Sequence, residues 1–217
     1  MTDAVVADKW KLVRDASTLA EGDIVTIAAS DLNYVLGCNL ASNYQYASYT
    51  EVVKAGDYLY HPIITDKSKY QYMVQPLILA KSDATKAAFD LYNAVDYDGD
   101  TKSGYITNVV TNNYLKLENY PTDNTRLYIT IDDKSGVATI EAKDSEFDTK
   151  LLKYRANSGG AITSNRRFGF VSTLSEAEHH DVCIYKLDGV KGSVPVAGAV
   201  VTVPAADEPI AIAKEGV

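Results

Sequence analysis

The sequence predicts an all-β fold, and three observations support this expectation. Short runs of β-branched and aromatic residues are separated by Asn, Asp, Gly and Ser, a pattern typical of strands and turns. Several runs alternate, as in 127–131, where Leu127 and Ile129 would lie on one face and Tyr128 and Thr130 on the other. The chain also holds 16 Tyr against 4 Phe and 1 Trp, and tyrosine rings suit half-buried sheet positions. Alternation indicates one buried face per sheet, so we expect antiparallel rather than parallel strands.

The predicted strands follow one another closely along the chain. They cover residues 10–13, 23–29, 34–38, 58–61, 72–80, 88–92, 105–110, 114–117, 127–131, 137–142, 151–154, 168–172 and 182–187. Residues 16–21 and 82–88 have a helical pattern, and each segment is long enough for about one or two turns. Strands therefore dominate, and helices contribute little to the expected architecture.

A weak internal repeat makes the expected fold more specific. Three hairpins share one layout, in which a strand and a polar turn precede a second strand that opens on an aromatic residue or leucine. They pair residues 24–27 with 34–36, 105–107 with 114–117, and 138–140 with 151–154. The repeat predicts a β-trefoil-like barrel, with an antiparallel β-sandwich as the alternative. Because the repeats are unevenly spaced, the first one should carry an insertion around residues 40–75.

We expect one domain with an extension at each end. Residues 1–9 would form an N-terminal segment, residues 10–188 the β domain, and residues 189–217 an extended arm rich in Gly, Val, Ala and Pro. The arm is predicted to dock on another protein subunit by strand addition. Its predicted contact residues are Val200, Val201 and Val203.

Charge and cysteine content argue against several classes of function. With 21 Lys and Arg against 29 Asp and Glu, the chain carries a formal charge of −8, and its basic residues are scattered, which disfavours nucleic-acid binding. No apolar run approaches the roughly 18 to 20 residues of a membrane span. Cys38 and Cys183 have no metal-binding spacing; both are interpreted as small core residues, and whether they pair stays open. The N-terminus lacks a signal-peptide pattern, so we expect either action where the chain is made or removal of a signal from a longer precursor.

The sequence lacks the motifs of common enzyme classes, so we predict a non-enzymatic protein without a cofactor. The run that contains His179 and His180 lacks a standard metal-ligand spacing. A weak calcium candidate is formed by Asp96, Asp98 and Asp100, whose carboxylates alternate around a glycine. The run does not match the helix-loop-helix calcium loop, and a hairpin tip is the alternative.

A group of tyrosines occupies the predicted insertion. Its members are Tyr44, Tyr46, Tyr49, Tyr58 and Tyr60. Such rings can stack on sugars, anchor a protein interface or cover the core beneath a long loop, and these three interpretations remain open. The tyrosines of predicted strands, such as Tyr105, Tyr114, Tyr128, Tyr154 and Tyr185, need no functional explanation.

Two stretches resemble a β-rich accessory domain that recurs in secreted and surface proteins of Bacteroidetes. Residues 10–28, from Trp10 to Ala28, resemble its opening. Its closing strands are similar to Leu-Leu-Lys-Tyr at 151–154, Phe-Gly-Phe at 168–170 and Ile-Tyr-Lys at 184–186. The resemblance implies no catalytic residues.

We interpret the chain as a departure from this family, because the sequence shows no signal-peptide pattern, no recognised partner domain and a Val/Ala/Pro arm after the β domain. We therefore predict a phage-borne relative that acts as a structural module of a virion, in capsid decoration or fibre attachment. It would be located in the virion if phage-encoded and at the cell surface otherwise. The alternative is a carbohydrate-binding accessory domain of a bacterial surface protein, with glycans as ligands.

Overall fold

The computed structural model describes residues 7–37, 49–62, 74–83, 88–93, 104–108, 115–142, 150–155, 167–172 and 179–192. Within these ranges the chain forms sixteen strands and a short 3-10 helix at Ala16–Thr18. The strands are β1 Ala7–Leu12, β2 Asp23–Ala29, β3 Tyr34–Leu36, β4 Tyr49–Glu51, β5 Val53–Ala55, β6 Tyr58–Pro62, β7 Leu77–Asp83, β8 Ala88–Asn93, β9 Gly104–Asn108, β10 Leu115–Glu118, β11 Leu127–Ile131, β12 Val137–Ala142, β13 Lys150–Arg155, β14 Arg167–Ser172, β15 His179–His180 and β16 Val182–Lys191.

Six of the strands close into an antiparallel barrel. The pairing runs from β2 to β7, β8, β11, β12 and β16, and β16 returns to β2. Closure excludes the alternative of an open two-sheet sandwich, because every one of these strands has a partner on both sides.

Three hairpins extend the barrel strands and impose an approximate threefold repeat. The hairpins β3–β4, β9–β10 and β13–β14 are joined to β2, β8 and β12 respectively. Each repeat therefore contains a barrel strand, a hairpin and a second barrel strand. A six-stranded barrel with three such hairpins is a β-trefoil, and the predicted fold class is confirmed.

Period-two alternation fills the inside of the barrel with apolar side chains. In β11, Leu127 and Ile129 are buried, whereas Tyr128 is half-buried and Thr130 is exposed, as predicted. The same core includes Phe168 and Phe170 from the third hairpin. Burial of each large apolar side chain contributes about 1.5–3 kcal/mol, so this shared core is the main source of stability.

Strand β2 departs from simple alternation because all of its residues are buried. Val25 and Ile27 face the barrel core, while Ile24 and Ala28 belong to a second apolar cluster on the outside. Strands β1, β6 and β5 cover that outer cluster as a small sheet that continues from β16. We call these three strands the outer layer.

Several predictions of local structure were wrong. The segment 82–88 is not helical where it is described, because Ser82 and Asp83 end β7 and Ala88 begins β8, and these two strands pair. The second predicted hairpin is β9–β10, whereas the other two join a barrel strand to the first strand of a hairpin. The three predicted hairpins therefore do not occupy equivalent positions in their repeats. Alternation alone cannot tell a barrel strand from a hairpin strand, because both have the same pattern.

Two strands extend across the predicted domain boundaries. Strand β1 begins at Ala7 rather than at residue 10, since it pairs with β6 from its first residue. Strand β16 continues to Lys191, past residue 188, because Gly189 at φ 74° allows an irregularity after which Lys191 pairs with Asp23. The rest of the predicted arm, residues 193–217, lies outside the described residues.

Candidate functional site

The exposed side of the outer layer carries an ordered array of tyrosine and lysine side chains. Across one row, Lys9 of β1 lies opposite Tyr60 of β6, and Tyr60 lies opposite Val53 of β5. In the next row, Lys11 lies opposite Tyr58. Side chains opposite one another in antiparallel strands share a face of the sheet. We call the surface formed by these five residues the tyrosine–lysine face.

Alternation places apolar residues on the other side of the same strands. Trp10 and Leu59 lie opposite one another, are 2% and 0% exposed, and pack with Ile24, Ala28 and Cys183 of the barrel wall. The side of the outer layer that faces the barrel therefore provides the packing energy. The opposite side is not needed for this packing.

The turn between β5 and β6 is fixed from two directions. Gly56 has φ 58°, a conformation that favours glycine, and the next residue, Asp57, accepts a hydrogen bond from the Leu12 amide at 2.7 Å. Arg14 donates to the Asp57 carboxylate at 2.6 Å and to the Lys134 carbonyl, also at 2.6 Å. The hydrogen bond from Arg14 lowers the pKa of Asp57. The outer layer is thus held to the turn between β11 and β12.

Lys54 fixes the edge strand β5 from beneath. Its ammonium donates to the carbonyl of Ala29 at the end of β2, and burial lowers the pKa of this lysine. Together with the Arg14 contacts, this anchor makes the tyrosine–lysine face a preformed surface.

The two tyrosine rings lie side by side on the face. Their centroids are 6.3 Å apart and the ring planes are inclined by 44°. The Lys9 ammonium lies 4.0 Å from the centroid of the Tyr58 ring, a favourable cation–π distance. Both rings are half-buried, and Val53 beside Tyr60 is 63% exposed. The face therefore combines aromatic, aliphatic and cationic groups within reach of one small ligand.

The structure brings together two of the predicted interface tyrosines, Tyr58 and Tyr60. Tyr49 begins β4, where it pairs with Leu36, and nothing is described of its side chain. The remaining predicted site residues lie outside the described ranges: Tyr44, Tyr46, Val200, Val201, Val203, Asp96, Asp98 and Asp100.

Sequence reasoning missed the lysines and Val53. The run from Lys9 to Leu12 alternates charged and apolar residues, and this alternation could have placed Lys9 and Lys11 on one exposed face. Their position beside Tyr58 and Tyr60 depends on the pairing of β1 with β6, which the run itself does not specify.

Two buried carboxyl groups elsewhere have structural partners. Asp23 is fully buried and contacts Lys186 at 2.9 Å and Lys191 at 2.5 Å. Burial acts to raise the pKa of Asp23, but hydrogen bonds from both lysines and the Ala20 amide outweigh it, so the pKa is lowered. Burial raises the pKa of Asp90, despite a hydrogen bond from the Thr125 hydroxyl at 2.7 Å.

The remaining candidate groups are accounted for by packing and surface pairing. His180 contacts the Asp31 carboxylate at 2.8 Å, and Cys183 is a buried free cysteine, in line with its predicted core role. Burial raises the pKa of Tyr185 to about 12. Among the described residues there is no group of three or more His, Cys, Asp or Glu side chains arranged to hold a metal ion. In the same part of the chain, no helix has the length and apolar character needed to cross a membrane.

No known protein family matches the chain, and no curated protein matches it either. The chain is partially similar to several solved structures, among them the following three. The BEL β-trefoil is 10% identical, with 77% of this chain and 95% of that chain covered and a TM-score of 0.43. Cry35Ab1 is 10% identical, with 85% and 40% covered and a TM-score of 0.48. The Polyporus squamosus lectin, solved with the epitope Neu5Aca2-6Galb1-4GlcNAc, is 13% identical, with 78% and 51% covered and a TM-score of 0.45.

Proposed function

We propose that this protein is a non-enzymatic carbohydrate-binding domain and that the tyrosine–lysine face is its binding site. The proposal is carried by one observation: Tyr58 and Tyr60 share the exposed side of a sheet whose opposite side is already buried. Core packing therefore does not require these two rings, and the sheet holds them in place for a ligand.

The chemistry of the face suits a sugar ring. The C–H bonds on one side of a pyranose form an apolar surface that packs against aromatic rings, while its hydroxyl groups need polar partners at the edge. Tyr60 and Val53 supply the apolar contact, and the Lys9 ammonium beside Tyr58 supplies hydrogen-bond donors.

The part of the face that the structure describes has a size that suits a small ligand. Three neighbouring strands span about 10 Å, and two rows along each strand span about 7 Å. A sugar unit or a disaccharide fits this area. A stable protein interface buries about 800 Å² on each partner, which is about ten times larger than this area.

The predicted structural role in a phage virion, with the arm as the attachment to other subunits, stays a prediction. So does membership of the Bacteroidetes accessory-domain family. A glycan-binding domain is compatible with display at a cell surface or on a virion, so the proposed activity does not depend on which of these is true.

A glycan array probed with the full chain tests the proposal. We expect binding to a subset of saccharides, and we expect Tyr58→Ala and Tyr60→Ala each to weaken that binding about tenfold, because Tyr60→Ala removes the stacking ring and Tyr58→Ala removes the ring that positions the Lys9 ammonium. Tyr120→Ala is the matched control, since Tyr120 is 64% exposed and lies outside the face. The proposal fails if no saccharide binds, or if folded Tyr58→Ala and Tyr60→Ala proteins bind as the unmodified chain does.

A further inference from the structure

We propose that the tyrosine–lysine face selects saccharides that carry a carboxylate or sulfate group over their neutral counterparts. This inference rests on the proposed carbohydrate-binding function and names the class of ligand. It is based on the placement of Lys9 and Lys11 and on the absence of an ion pair to either lysine among the side chains that the structure describes.

The Lys9 ammonium is held where a ligand on Tyr60 can reach it. Lys9 lies directly opposite Tyr60, but its side chain extends diagonally so that the ammonium is 4.0 Å from the Tyr58 ring centroid. Diagonal neighbours in an antiparallel pair are about 7–8 Å apart, which is within reach of a lysine side chain. A sugar stacked on Tyr60 would therefore place its substituents next to a fixed positive charge.

Lys9 and Lys11 differ from several other lysines and arginines around the barrel, which are paired with carboxylates. Lys186 and Lys191 both contact Asp23, Lys153 contacts Asp181, and Arg14 contacts Asp57. Among the side chains that the structure describes, no carboxylate forms an ion pair with Lys9 or Lys11. Both lysines are exposed, so their charge is available to a ligand.

Nearby Asp57 does not remove this selectivity. Its carboxylate also interacts electrostatically with Lys11, but its direct partner is Arg14, whose guanidinium donates to it at 2.6 Å. The second row of the face thus retains the positive charge of Lys11 beside Tyr58.

The net charge of the protein makes this local arrangement informative. At −8 the whole chain repels anions, so a positive face is expected to act only over short distances, within the screening length of about 8 Å in physiological salt. Recognition would then require stacking on the tyrosines together with the charge contact, which excludes general polyanion binding.

Matched saccharide pairs test the inference with the full chain. The probes are oligogalacturonate and its methyl ester, and sulfated and unsulfated galactose oligosaccharides, so the carboxylate and sulfate arms are separate. We expect the acidic member of at least one pair to bind about tenfold more tightly than the neutral member, and sodium chloride to reduce this difference. The double change Lys9→Gln with Lys11→Gln should remove the preference, whereas Lys134→Gln in the exposed β11–β12 turn should keep it.

The results separate this inference from the proposed function. Equal binding of neutral and acidic members, or a preference that persists in the folded double variant, overturns the selectivity for anions and leaves the carbohydrate-binding proposal intact. Equally tight binding of a single-stranded oligonucleotide also overturns it, because that result indicates general attraction of polyanions. If the protein binds no saccharide in this panel or on the glycan array, the proposed function itself is wrong.

Discussion

The barrel and the outer layer are built from the same kind of alternating strands but differ in what their two faces contact. In the barrel, alternating residues such as Leu127 and Ile129 face a closed core shared by all three repeats. The outer layer has only one side to bury, and it presents Tyr58, Tyr60 and Val53 on the other. The barrel therefore explains the stability of the protein, while the outer layer supplies a surface that stability does not explain.

The difference also shows how a symmetric fold acquires a unique site. The outer layer joins β16 and covers β2, so it breaks the threefold symmetry at one position. The unit that carries it is the same one in which sequence spacing predicted an insertion around residues 40–75, and β4, β5 and β6 all lie in that interval.

The largest effect is expected from truncation of the barrel core. Phe168 is fully buried and its ring centroid is 5.0 Å from that of Tyr154, so Phe168→Ala should lower the free energy of unfolding by about 3–5 kcal/mol. Chemical denaturation measures this loss. Phe168→Leu is the milder control, and a loss below about 1 kcal/mol for the alanine variant would contradict the packing described for this hairpin.

Truncation beneath the outer layer tests whether it depends on the barrel. Leu59→Ala should cost about 2–4 kcal/mol, because the side chain is 0% exposed and packs against the barrel wall through the second cluster. It should also weaken glycan binding, although the substituted residue faces away from the ligand. Val53→Ala at an exposed position is the stability control. Unchanged binding by Leu59→Ala would show that the tyrosine–lysine face does not depend on this packing.

A smaller effect distinguishes the two buried aspartates of the barrel. Asp23→Asn should lower the free energy of unfolding at pH 7 by about 1.5–3 kcal/mol, because it removes a charged acceptor of two lysines. The folded-state pKa of Asp23 lies below its ordinary value. The stabilising contribution of Asp23 is therefore fully present when the pH is above the pKa of Asp23 in the unfolded chain. It is lost as the pH falls through the lower pKa that Asp23 has in the folded protein.

Asp90→Asn is the matched control for this prediction, since the pKa of Asp90 is raised in the folded protein. An ionised Asp90 costs stability as pH rises through its unfolded and then its folded pKa, so Asp90→Asn should be neutral or stabilising at pH 7. Denaturation curves from pH 7 down to pH 3 check both signs. If Asp90→Asn destabilises as much as Asp23→Asn, the contrast between their environments is wrong.

Strand content and much of the strand order could be predicted from short-range patterns. The alternation in 127–131 and the turn residues between strands depend on neighbours in sequence, and both were read correctly. The positions at which the three repeats begin could not be predicted in this way, because pairing of β2 with β7 or β12 with β16 joins residues far apart in the chain. At the described ends of 82–88, Ser82, Asp83 and Ala88 are in strands for the same reason: pairing of β7 with β8 overrides a weak local preference.

The sequence alone determined that the protein is β-rich and that its strands are antiparallel. Composition and alternation are sufficient for these conclusions because they depend on which residues avoid water. Only the tertiary structure decided which tyrosines are buried, as Tyr154 and Tyr185 are, and which lie beside lysines, as Tyr58 and Tyr60 do. The reason is physical: exposure depends on what packs over each strand, and that contact comes from residues distant in sequence.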